Sequence, residues 1–401
     1  MSKAIAKHAA QQQKLMDSFV ELIAEAIDDK SPYTGGHCHR VPELGLMLAN
    51  IASKDTSPYF KDFTIEDQDR QREFKLAAWL HDCGKITTPE HVVDKGSKLE
   101  TSYNRIHEIR TRFEIIWRDI ELEYYQNLIE QPSNIEELVT QLKQRQKSLA
   151  EDFMFVAKCN IGGEEMHQDE IDRLHQIAQV TWVRHFDARV GLSPIEERRL
   201  TTIDAVLPVT EKLIDDKPEH KISWERIPNY DAKFNITLQP PELQNNQGEL
   251  YNLSIRRGTL NKEERYRINE HTVSTIKILE GLPFPPELAN VPRFASTHHE
   301  TLKGTGYPRG LSDKDLTIGE RILVIADIFE ALTADDRPYK KAKSLSSALS
   351  IMKNMAENDH IDKKVFNLFL SSNTHLNYAK QYLLESQVED VDIEQFLIRD
   401  A

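Results

Sequence analysis

The sequence predicts an all-α fold carrying a long, mostly helical insertion, and three observations predict it. Apolar residues recur at helical spacing near both ends of the chain. The middle is rich in charged helix formers and poor in glycine. Each histidine or acid that could do chemistry falls on or beside one of the helical segments. The organisation expected is a lead-in helix over 1–30, a first part of the main domain over 31–99, a helical insertion with an irregular connection over 100–252, and a second part over 253–401 closing with further helices.

In residues 11–30, Leu15, Phe19, Leu22, Ile23 and Ile27 lie at helical spacing with polar residues opposite. Thr34 can cap the next helix, on which His37 shares a face with Val41, Leu44 and Leu48; Pro42 is expected to kink or restart it. Phe74, Ala77, Ala78 and His81 recur at i, i+3, i+4 and i+7, which turns His81 to the packed side with Asp82 beside it. Gly84 ends that helix and lets Lys85 fold back toward the same place. A single histidine on an apolar face is more often a packed core residue than a ligand, and a His-Asp dipeptide is common, so neither decides anything alone.

Helices are expected over about 104–130, 135–157 and 166–187, arranged as hairpins or a coiled-coil-like arm. Ser193-Pro194-Ile195-Glu196 reads as a helix start with a cap, a proline at the first turn and an acid three residues on. Pro218, Pro228, Pro240 and Pro241 mark 216–250 as irregular connection. His167, His175 and His185 show no metal spacing and read as surface or interface residues. Helix returns with Ile268, His271, Thr275, Ile278 and Leu279 on one face. His298 and His299 then enter a loop containing Gly304, Gly306, Tyr307 and Pro308, and Asp327 follows the apolar run Leu323-Val324-Ile325-Ala326. Two amphipathic segments after Ser344 close the core.

The length of 401 residues suffices for two or three domains or for one with a large insertion. A net charge of −14 argues against a nucleic-acid polymer as partner, because phosphate neutralisation needs clustered Lys and Arg. An anionic ligand must therefore be drawn in by a local metal or basic cluster. No apolar run is long enough to span a bilayer, and the first residues lack the apolar core of a secretory signal, so a cytoplasmic location is expected. Three scattered cysteines suggest neither disulfides nor a thiolate metal site.

A carboxylate on a segment as apolar as that of Asp327 is too costly to bury without a cation, and neutral imidazoles are the natural co-ligands. His37, His81, Asp82, His271, His298, His299 and Asp327 all lie on or at the ends of inward-facing helices. With one bridging carboxylate and waters they could fill two five- or six-coordinate sites for hard or borderline metals.

The pieces YTGGHCHRV, LHDCGK, RGTLNKEERYRINEH, HHETLKGTGYPRGL and IADIFEALTADDRPYK resemble, in their order, the HD-GYP branch of the HD phosphohydrolase superfamily; they cover about 31–96 and 253–345. The resemblance implies an HD-type helical bundle around two divalent ions, iron or manganese first, with magnesium or nickel as other options. The metal ligands would be His37, His81, Asp82, His271, His298, His299 and Asp327, with Asp82 as the bridge. Lys85 would assist at the scissile phosphate, while Arg337 and Lys340 would hold substrate phosphate. Gly304, Gly306, Tyr307 and Pro308 would form a lip of the pocket. The implied activity is hydrolysis of a cyclic dinucleotide, cyclic di-GMP to pGpG and GMP or 3'3'-cyclic GMP-AMP, by hydroxide generated at the metal pair. Other classes of answer are a catalytically weak nucleotide-binding signalling module and an HD-type hydrolase of nucleoside phosphates. The resemblance also implies an upstream sensory domain or signalling partner, and helical segments of this kind suggest a homodimer.

Two departures accompany the resemblance. His107 competes with His271, because VVDKGSKLE partly resembles the pattern repeated in LSIRRGTLNKEER. His271 is preferred, since Glu264 and His271 stand four and eleven residues past Leu260 as in the family. Where some members place a glutamate for a third metal, this chain has Tyr33, a poor ligand for such ions, and two metals are expected.

Overall fold

In the computed structural model, residues 3–30, 36–163, 165–200, 206–335 and 342–399 are described, without the side chains of 3–6 and 9. Thr34, Tyr33, Arg337 and Lys340 lie outside the described residues. The helices are, in chain order, α1 (Lys3–Asp28), α2 (His37–Ala52), α3 (Gln68–Leu80), α4 (Glu90–Val93), α5 (Ile106–Glu130), α6 (Ile135–Ile161), α7 (Gln168–Ile177), α8 (Pro194–Arg199), α9 (Glu249–Leu253), α10 (Lys262–Leu279), α11 (Val291–Ala295), α12 (Ile318–Thr333), α13 (Leu345–Glu357), α14 (Lys363–Ser371) and α15 (Thr374–Tyr382). Two compact units result. The first comprises Met1–Val93, Asn229–Gln239 and Arg267–Ala401; the second comprises Asp94–Pro228 and Pro240–Tyr266.

Among the described residues, the regular elements that pack the first unit are helices. Val41, Leu44 and Leu48 of α2, Phe74 and Ala78 of α3 and Ile322, Ile325, Ala326 and Phe329 of α12 pack together with α13, α14 and α15 in one core. The face of α2 is therefore the one its sequence indicates, and α2 runs through Pro42 as one helix instead of restarting there. α12 begins with a reciprocal cap, in which Thr317 Oγ1 accepts from the Glu320 amide and Glu320 Oε2 accepts from the Thr317 amide. That cap fixes the register of Asp327 three turns later.

Lead-in helix α1 packs differently from expectation. Val20, Ala24 and Ile27 meet Leu76, Ala77 and Leu80 of α3, while Leu15, Phe19, Leu22 and Ile23 are exposed. The apolar residues of α1 wrap more than one face, and only one face meets the unit. On α10, His271, Thr275 and Leu279 are buried as the spacing indicates, but Ile278 is exposed; Thr272, Val273 and Ile276 complete the buried side.

In the second unit, Ile106, Ile109, Phe113, Ile116 and Ile120 of α5 repeat at alternating three- and four-residue steps and face Leu149 and Val156 of α6, a helical hairpin. Glu249, at the start of α9, ties to α5 by accepting from Arg105 Nη2 at 3.1 Å and Arg112 Nη1 at 3.0 Å. The helix expected over 166–187 stops at Ile177. Thr181–Arg184 instead forms a strand (β1) paired antiparallel with Val209–Lys212 (β2), in keeping with the β-branched and aromatic run Thr181-Trp182-Val183. Within 216–250, Lys221–Ile222 (β3) pairs with Asn245–Asn246 (β4).

Candidate metal centre

Each candidate side chain is placed by a local device. Gly36, with φ +87°, stands just before α2 and makes His37 its first residue. His81 caps the C-terminus of α3, and its Nδ1 lies 2.6 Å from the Ala78 carbonyl. His271 on α10 repeats this arrangement with the Ile268 carbonyl at 2.5 Å, and His298, just past α11, with the Ala295 carbonyl at 2.9 Å. A carbonyl only accepts, so each Nδ1 carries a proton and each Nε2 is left facing inward.

Those inward atoms converge on Asp82. Its Oδ2 lies 3.5 Å from His37 Nε2 and 3.3 Å from His81 Nε2, while its Oδ1 lies 3.3 Å from His271 Nε2 and 3.7 Å from His298 Nε2. Asp327 Oδ1 completes the first side at 3.3 Å from His37 Nε2. On the other side, His299 groups with His271 and His298 as possible metal ligands. Asp82 Oδ1 is buried and has no hydrogen-bond partner. Ring nitrogens and carboxylate oxygens gathered in a buried site are a set of candidate ligand atoms, and cations are what such a set fits. The seven predicted ligands thus come together, four on one side of Asp82 or shared with it and three on the other. His107 is exposed on α5, where it accepts from Arg110 Nη1 at 2.7 Å.

The electrostatics of His298 and His299 suit the same role. Burial, reinforced by His299 and His81, holds His298 well below the usual imidazole range. Burial and the nearby His271 push His299 down to about 3. Both rings are neutral at physiological pH, as metal ligation requires. Burial works to raise the Asp82 carboxyl, but Lys85 and His81 outweigh it and hold the group well below its ordinary value. Lys85 folds back as Gly84 allows, its Nζ 2.5 Å from Asp82 Oδ2. Lys30 at the end of α1 steadies that turn by donating to the carbonyls of Lys85, Ile86 and Thr88 at 3.1, 2.7 and 2.7 Å.

Sequence reasoning missed Glu330. It stands one turn beyond Asp327 on α12 and is buried; its Oε2 contacts His37 Nδ1 and its Oε1 accepts from Arg40 Nε at 2.7 Å. Burial opposes its ionisation, yet His37 and Arg40 hold the carboxyl at about 2. The signal was present as two i, i+3 pairs, His37 with Arg40 and Asp327 with Glu330, which meet across α2 and α12. Thr275 is a second missed contributor: its Oγ1 accepts from the Gly84 amide at 3.0 Å and lies 3.2 Å from the His81 carbonyl, bolting the His81-Asp82 turn to α10.

The glycine loop lies against this cluster. The ring of Tyr307 stacks on His299 at 4.8 Å between centroids. Gly306 lies so close that a Cβ there would fall 2.5 Å from the His299 carbonyl oxygen, and Gly304 has φ +75°. The glycines therefore serve the loop's own packing and turn. Pro308 is buried and faces the protein, its carbonyl accepting from the Thr237 amide at 2.8 Å.

Comparison with known proteins matches residues 208–365 to the family described as HD domain. Over that span the chain is similar to HD domains. The matched span includes four of the candidate ligands, His271, His298, His299 and Asp327. Among curated proteins, a 3'3'-cGAMP-specific phosphodiesterase of Vibrio cholerae is 39% identical over 132 residues, 30% of this chain and 27% of that protein. A second from the same organism is 33% identical over 132 residues, 33% and 29% of the two chains. A cyclic di-GMP phosphodiesterase of Thermotoga maritima is 37% identical over 94 residues, 23% and 25%. The chain thus spans between a quarter and three tenths of the length of these relatives. No helix among the described residues is long and apolar enough to cross a membrane.

Proposed function

We propose that this chain is a phosphodiesterase that uses two divalent ions, iron or manganese, to open a cyclic dinucleotide. The observation that carries the reading is Asp82, whose two oxygens face two separate histidine pairs. Likeness to relatives named for cyclic di-GMP and 3'3'-cGAMP supports the substrate class. Divalent cations held there supply Lewis acidity toward phosphate oxygens and toward water.

The chain's own residues then have distinct tasks. His37, His81, Asp82 and Asp327 would hold one ion, and Asp82, His271, His298 and His299 would hold the other. Lys85 carries the positive charge beside them and stabilises negative charge growing on the phosphate oxygens. Arg337 and Lys340 bind the non-reacting phosphate, and Tyr307 with Gly304 and Gly306 borders the substrate. The oxygen of water bonds to phosphorus, the ribose 3' oxygen leaves with a proton, and the ring opens to a linear dinucleotide. The free buried thiols of Cys38, Cys83 and Cys159 suit a reducing cytosol, and the exposed apolar row on α1 supports pairing of two copies through helical segments.

The test is the purified chain loaded with manganese or ferrous iron and offered cyclic di-GMP, 3'3'-cyclic GMP-AMP and nucleoside triphosphates. Linear dinucleotide from either cyclic substrate is the expected product. Tight binding of a cyclic dinucleotide without turnover would sink the enzyme reading in favour of a receptor, and triphosphate hydrolysis alone would shift the substrate class.

Glu330→Gln gives a finer check. Loss of the carboxylate that orients His37 is expected to weaken retention of one ion by about 10–100-fold, read by competition with a chelator. Unchanged retention of both ions would remove Glu330 from the site.

A further inference from the structure

The stretch between the two groups of sequence motifs, part of which lies within the matched span 208–365, is not only a spacer. Within it, Asn229–Gln239 belongs to the first unit, and this strap touches that unit at three points. Tyr230 Oη donates to Glu270 Oε1 at 3.0 Å, and Lys277 Nζ sits over the Tyr230 ring at 5.0 Å. The Phe234 carbonyl accepts from Arg309 Nε at 3.1 Å. The Thr237 amide donates to the Pro308 carbonyl at 2.8 Å, with Thr237 Oγ1 at 3.2 Å from the same oxygen.

The strap is built for this shape. Asp231 Oδ1 accepts from the Lys233 amide at 3.0 Å and starts a 3-10 turn over Ala232–Phe234, which Asn235 ends in the left-handed region at φ 52°. That turn aims the Phe234 carbonyl at Arg309. From the other side, Glu300 grips the same loop, accepting from the Arg309 and Leu311 amides at 2.7 and 2.9 Å, and Arg309 Nη1 donates to Ser296 Oγ at 2.9 Å.

One end of the strap thus holds the residue preceding His271, and the other holds the two residues following Tyr307, whose ring lies on His299. We propose that the strap Asn229–Gln239 is a positioning element for the substrate loop, which fixes the Tyr307 ring against the site and thereby sets the affinity for substrate. This rests on the phosphodiesterase reading for its kinetic consequence only; the mechanical claim stands on the contacts. Chain length and sequence in the insertion then tune substrate binding without altering a metal ligand.

Two variants test it in the full chain. Thr237→Pro removes the amide donor to Pro308, and Arg309→Lys keeps the charge but loses the fork that joins Phe234 and Ser296. A lost hydrogen bond of ordinary strength corresponds to as much as about tenfold in affinity. For either variant, KM for the cyclic dinucleotide that the wild type hydrolyses is expected to rise by about that factor, with kcat within about twofold and bound metal unchanged. Backbone amide exchange over residues 304–311 is expected to accelerate in the same variants. Unchanged exchange overturns the proposal, as does a fall in kcat together with metal content, which would reveal a merely structural contact. Exchange is read without substrate, so a wild type that hydrolyses neither dinucleotide defeats the phosphodiesterase reading while the strap is still judged by its amides.

Discussion

Replacing Asp82 with asparagine is expected to abolish turnover of a cyclic dinucleotide and to leave the chain with less than two bound ions. Asparagine keeps the shape and removes the charge. It also places an amide nitrogen, a pure donor, where one oxygen now faces histidine Nε2 atoms at 3.3 to 3.7 Å. A cation that loses its shared carboxylate loses the charge compensation that makes the buried site favourable. Because such ions contribute several kcal/mol to phosphoryl transfer, the rate is expected to fall at least about a thousandfold. The checks are production of linear dinucleotide and metal content per chain after gel filtration. An Asp82→Asn protein that keeps both ions and turns over within about tenfold of wild type defeats the bridging role.

The second large effect is expected at a residue with no chemistry of its own. In Gly84→Ala the new Cβ would lie 1.9 Å from the His271 carbonyl oxygen and 2.6 Å from the Thr275 amide nitrogen, both main-chain atoms of α10. Neither can swing away as a flexible side chain would, so α10 and the His81-Asp82 turn must separate. Forced overpacking of this kind costs about 3 kcal/mol, which for a unit of this size corresponds to a fall in melting temperature of about 6–12 °C. The separation would also pull His271 from Asp82 and break the Thr275 contacts that hold the turn. Thermal unfolding of chelator-treated protein measures the first effect and metal retention the second. A variant that melts with wild type and retains its ions would show that the turn tolerates a side chain.

Much of the candidate site is legible in the sequence because its candidate ligands sit on or beside helices whose apolar periodicity survives in the fold. His37 with Val41, Leu44 and Leu48, and His81 with Phe74, Ala77 and Ala78, are inward-facing for the same reason that their neighbours are buried. Periodicity fails where an element has more apolar residues than one face can use. Of the expected row on α1, Leu15, Phe19, Leu22 and Ile23 are exposed and only Ile27 is buried, where Val20 and Ala24 join it in the contact. It fails again beyond Ile177, where four residues pair as a strand although their flanks favour helix. Glu330 escaped because a glutamate near the end of a helix reads as solvated until its partners, His37 and Arg40, are known.

By itself the sequence determined which residue types could gather and on which helix faces, and it set the expectation that a buried acid on α12 pairs with a cation. These follow from local geometry and the cost of burying charge. Only the tertiary structure decided that the two oxygens of Asp82 divide between two histidine pairs, that Gly84 is a point of main-chain contact with α10, and that residues 229–239 hydrogen-bond to Pro308 and Arg309 beside Tyr307. Such relations join residues far apart in the chain, and each depends on distances between backbones that no local pattern encodes.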